Sequence, residues 1–120
     1  MTRKNEKSTS QKESGKLGKL IAALMSSDLA LMRAIEGRLS EKFGAIDLVS
    51  DLFPFDYTNY YTPEMGTQLQ KKFISFDEML AIEHLPEIKN LTNAVEQEYA
   101  IDGKRRINID PGYVTHAQMC

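Results

Sequence analysis

The chain has 120 residues, 42% of them hydrophobic and 27% charged, with seven glycines and four prolines. That composition fits one folded domain and excludes a collagen-like repeat or a chain without a core. The longest uninterrupted apolar stretch, Leu20 to Met25, is six residues against the roughly 20 a membrane helix needs, and the only cysteine, Cys120, leaves no partner for an intrachain disulfide.

Charge divides the chain. Residues 1–19 carry six basic and two acidic side chains, whereas the rest carries nine basic and fifteen acidic ones. The leading segment is rich in Ser, Lys, Glu and Gln and too poor in apolar residues to offset its ordering entropy, so residues 1–17 read as a disordered basic tail. Residues 18–120 read as a single α+β domain. An acidic body is a poor partner for nucleic acid. The segment Ser14-Gly15-Lys16-Leu17-Gly18-Lys19 lacks the first glycine and the final Ser/Thr of a phosphate loop.

Lys19 to Met25 is short and nearly continuous in apolar residues, the pattern of a strand covered on both faces. Ser26-Ser27-Asp28 then offers helix-capping chemistry, and Leu31, Ile35, Leu39 and Phe43, with Met32 beside them, form one apolar stripe that Gly44 ends. Ala45 to Phe55 reads as a second strand, with Pro54 at its end or on an edge. Leu69 to Phe76 reads as a third, its face left open because Phe73 and Phe76 lie three apart. Pro86 suits the first turn of a second helix with Ile88, Leu91, Val95 and Tyr99 inward. Lys104 to Asp110 ends in alternation that turns Ile107 and Ile109 inward, and Pro111-Gly112 predicts a turn. The order βαββαβ predicts a ferredoxin-like α+β fold, an antiparallel sheet with two helices on one face. The alternative, a flavodoxin-like α/β sheet, needs a helix where residues 56–68 place Tyr, Asn, Pro and Gly.

The segments FPFDYTNYYTPEMG (53–66), FISF (73–76), EIKNLTN (87–93) and NIDPGY (108–113) are distinctive in content and order. Through them, residues 19–118 resemble a prokaryotic family, domain of unknown function 4416. The resemblance carries no assigned reaction. It implies a loose association with GTP binding, here without a phosphate loop, and a longer C-terminal part than this chain has. The expectation is a chain lacking a C-terminal segment, with a sheet edge or an apolar face left uncovered.

Half of the ten aromatic residues (Phe53, Phe55, Tyr57, Tyr60, Tyr61) fall within nine positions, beside Asp56, Asn59 and Glu64. Rings and polar groups in that density suit a pocket wall for a small molecule, and a loop packed down on itself is the plainer alternative. Asp110, with Asn108 two residues before it and Tyr113 after it, sits at the other distinctive segment. A site between the two segments would use Asp56 and Asp110 as catalytic carboxylates, and Asp56, Asp110 and Glu64 as oxygen ligands for a divalent cation such as Mg²⁺. Arg105 and Arg106, facing Lys71-Lys72 across paired strands, would hold an anion. Tyr57, Asn59, Tyr60, Tyr61, Glu64, Asn108 and Tyr113 complete the expected ligand contacts. His84 and His116 are too isolated to form a metal pair. The expected partner is a small molecule in the cytoplasm, with neither nucleic acid nor membrane. A non-catalytic domain that self-associates through an open sheet edge is the competing reading.

Overall fold

The computed structural model describes residues 16–55 and 62–115. β1 (Leu17–Ser26) leads into helix α1 (Leu29–Phe43), followed by β2 (Ile46–Val49) and the two-residue β3 (Phe53–Pro54). A one-turn helix α2 (Thr62–Met65) precedes the long β4 (Gln70–Ala81), a 3₁₀ turn at Ile82–His84, helix α3 (Leu85–Glu98) and β5 (Asn108–Val114). The result is α+β: a five-stranded antiparallel sheet in the order β2-β4-β1-β5, with β3 also paired to β4.

α1 starts where its chemistry says it should. Asp28 is the N-cap and accepts the Leu31 N–H at 3.0 Å, and Gly44 closes the helix at φ 101°. The stripe Leu31, Met32, Ile35, Leu39 and Phe43 is buried as the spacing requires. α3 differs in part. Ile88 and Val95 are buried, but Leu91 is 43% exposed and the inward positions beside them are Thr92 and Glu96. Both helices share one core with Leu20, Ala22 and Leu24 of β1, Ile74 and Phe76 of β4, and Ile109 and Tyr113 of β5. A satellite cluster of Met25, Met65 and Leu69, with Phe55 against it, seats α2.

Four sequence expectations need correcting. Ala45–Phe55 is not one strand: residues 50–52 interrupt it, leaving β2 and β3 as separate pieces along β4. The third strand does not end at Phe76 but runs on to Ala81, through an irregularity opposite Lys19 and Ile21. Pro111-Gly112 makes no turn; both residues lie inside β5, opposite Ala22 and Ile21, and Asp110 sits mid-strand opposite Ala23. β5 is an edge strand, where alternate N–H groups lie outside the ladder and proline is tolerated. β1, finally, is covered by α1 and α3 on one face, and on the other only at its C-terminal end, where Met25 packs with Met65 of α2. Leu20, Ala22 and Leu24 face the core, while Ile21 and Ala23 face the other way, in register with Ser75 and Phe73.

Candidate functional site

Glu64, in the first distinctive segment, reaches Arg105, three residues before the second. Glu64 of α2 and Arg105, 41 residues later, form a fork. The Glu64 carboxylate accepts the Arg105 backbone N–H (3.0 Å), Nε–H (2.8 Å) and Nη2–H (2.9 Å). Nη1 of Arg105 donates to Asn108 Oδ1 at 2.7 Å and lies 3.6 Å from Glu96 Oε1. Glu96 is buried and accepts the Ile109 N–H at 2.6 Å, which ties α3 to β5. The Arg105 bonds hold the Glu64 carboxyl below its ordinary range, while burial pushes Glu96 above it. The Arg105 guanidinium is in turn pushed up, chiefly by its bonds to Glu64.

This network locks the fold more than it offers a site. At least three of Arg105's five N–H directions are taken by Glu64 and Asn108. Arg106 is engaged too, with Nη2 2.6 Å from Asp28 Oδ2 and its carbonyl accepting the Ser26 hydroxyl at 2.7 Å. The clamp of paired basic runs does not form. Lys72 lies on the helix side in an ion pair with Glu36, whereas Lys71 lies on the opposite side over the rings of Phe55 (4.5 Å) and Phe73 (5.7 Å).

The remaining expected residues are scattered. Tyr113 belongs to the core, its hydroxyl donating to Ala81 O at 3.1 Å, and burial raises its pKa. Asp110 is on the other side of β5, with its side chain 66% exposed and 3.7 Å from Lys89 Nζ. Among the described residues His84 pairs with Glu87, at 2.9 Å. Asp56, Tyr57, Asn59, Tyr60, Tyr61 and His116 lie outside the described residues. Among the described residues, no three His, Cys, Asp or Glu side chains gather as a metal site would need.

The sequence led to the expectation of an uncovered sheet edge or apolar face without saying where it lies. The sheet face away from the helices carries a concavity of about 490 Å³, walled by Leu48, Val49, Phe73 and Val114 with Ile21 and Ser75 as floor. Leu48 is 68% exposed and Phe73 42%. At its margin Asp47 pairs with Lys19 and accepts the Ser75 hydroxyl at 2.6 Å, which together hold its carboxyl below the ordinary range. The signal was present in residues 71–76: Ile74 and Phe76 alternate inward, which throws Phe73 and Ser75 outward.

The family model described as Domain of unknown function (DUF4416) matches residues 16–120. The chain belongs to that family. All the described elements of this DUF4416 chain therefore fall inside the matched region. No curated protein and no solved structure gives a match. No helix among its described residues is long and apolar enough to cross a membrane.

Proposed function

We propose that this DUF4416 domain, residues 18–120, is an interaction domain whose working surface is the open face of its sheet and whose ligand is an apolar protein surface. The observation that carries the reading is the exposure of Leu48 and Phe73 around the concavity on that face. Its two edges suit strand addition poorly: β2 is four residues long and irregular in register, and β5 contains Pro111. The sheet edge expected from sequence thus gives way to the sheet face. The plan behind that face is ferredoxin-like in this reading, because β2 and β3, counted as one interrupted strand along β4, leave the order βαββαβ.

A solvatochromic apolar dye, titrated at sub-micromolar protein, tests the reading. Binding should be strong for the natural chain and largely lost in Leu48→Asp and in Phe73→Ser, with both variants still folded by circular dichroism. Equal dye binding by all three proteins overturns it.

The Glu64–Arg105–Asn108 contact favours a second reading, a small-molecule site where segment 53–66 approaches Asn108 through Arg105. Thermal midpoints measured with Mg²⁺, GTP and other nucleotides should rise on binding. An unchanged midpoint across that panel removes this second reading.

A further inference from the structure

We infer that the open sheet face is closed by the same face of a second copy of this chain, about a two-fold axis that crosses the strands at the level of Ile74. The inference rests on the open-face reading above and names its occupant. It comes from the strand register, which places residues of contrasting size in two adjacent rows. On one row stand Ser50, hydrogen-bonded to Phe73 through its backbone N–H and hydroxyl, then Phe73 itself, and Ala23 and Asp110 beside it. On the other stand Leu48, Ser75, Ile21 and Gly112.

A two-fold axis across the strands exchanges these rows. Phe73 then lies over Ser75 of the second copy, Ile21 over Ala23, and Leu48 over Ser50. Asp110, at the rim, meets Gly112. Each of these four meetings sets a larger side chain against a smaller one, and each occurs twice, as an isologous interface requires. Charge follows the same rule. Lys71 is held over the face by the Phe55 and Phe73 rings, and Asp77, exposed, falls on the same side of β4 by alternation. The axis brings Lys71 of each copy towards Asp77 of the other. An axis parallel to the strands between β4 and β1 would also set Phe73 on Ala23 and Ser75 on Ile21, but it lays Lys71 on Met25 instead of Asp77, so the charge pair decides for the axis across the strands.

The size of the face fixes the strength. Four strands about 4.8 Å apart and a β4 span of about 20 Å give a footprint of roughly 400 Å² per copy, hence about 800–1,000 Å² in total. That is below the usual stable interface, so the dimer is a weak one, with a dissociation constant on the order of 10 μM or above.

Sedimentation velocity of the full chain from about 1 to 500 μM should show a monomer–dimer equilibrium. Lys71→Glu and Asp77→Lys should each weaken it about fivefold or more, and the double variant should return to within about threefold of the natural chain. A monomer at every concentration, with dye binding as above, overturns the dimer and leaves the interaction reading to another partner. A dimer indifferent to Leu48→Asp and to both charge reversals overturns both. A dimer weakened by each reversal but not rescued by their combination overturns the antiparallel arrangement.

Discussion

At the scale of single residues, Glu96 and Glu64 flank one arginine and titrate in opposite senses. Burial raises Glu96 above its ordinary value of 4.5, so its contribution to stability is complete below that pH and is lost as pH rises through the folded-state value. Glu64 is depressed by Arg105, so its contribution is present above 4.5 and is lost as pH falls through the folded-state value. The thermal midpoint of Glu96→Gln, followed from about pH 3 to 8, should therefore fall less on the rising side than that of the natural chain. Glu64→Gln should flatten the acid side instead. Parallel curves for all three proteins would deny these groups their part. Two glycines give a second contrast. A methyl at Gly37 in α1 meets nothing within 4 Å, so Gly37→Ala should stabilise by about 0.5–1 kcal/mol in urea unfolding. A Cβ at Gly18 would lie 2.9 Å from Ile82 Cγ2 and 3.0 Å from Tyr113 Cδ1, so Gly18→Ala should cost about 1–3 kcal/mol.

At the scale of elements, legibility tracked how local each cause is. α1 could be read almost residue by residue because its cap, its five-residue stripe and its closing glycine are all written in the helix or directly beside it. α3 could be read less well. Its buried Glu96 is held by the Ile109 N–H of another element, and Leu91 surfaces because the helix presents Thr92 and Glu96 to the sheet instead. β5 was misread because Pro-Gly has strong local meaning, and only the position of the strand at an edge overrides it. The expected site lay between segments 53–66 and 108–113, with Arg105 and Arg106 holding an anion; instead Arg105 and Arg106 face carboxylates of the chain itself. An uncovered apolar face was one of the expectations, but its residues could not be named because that needs three strand registers at once. Ile35, fully buried at the middle of α1, measures how far the helix depends on that sheet. Ile35→Ala should cost about 2–5 kcal/mol in denaturant unfolding, and a cost under about 1 kcal/mol would mean the helix docks loosely.

At the scale of the whole molecule, the layers are unequal. One face of the sheet is sealed by α1 and α3 around a continuous core, and the other exposes Leu48 and Phe73. Pairing of that face would stabilise the folded state by mass action, so the thermal midpoint should climb with protein concentration in the natural chain and stay flat in Phe73→Ser. A midpoint independent of concentration in both would argue that the face stays solvated. The satellite cluster beneath α2 has its own vulnerability. Two of its three buried members, Met25 and Met65, are thioethers, against one methionine in the main core. Peroxide converts such side chains to polar sulfoxides, but susceptibility follows exposure, and both are buried. Among the described residues the half-exposed Met79 should react first, and the seat of α2 only once that corner has opened to solvent.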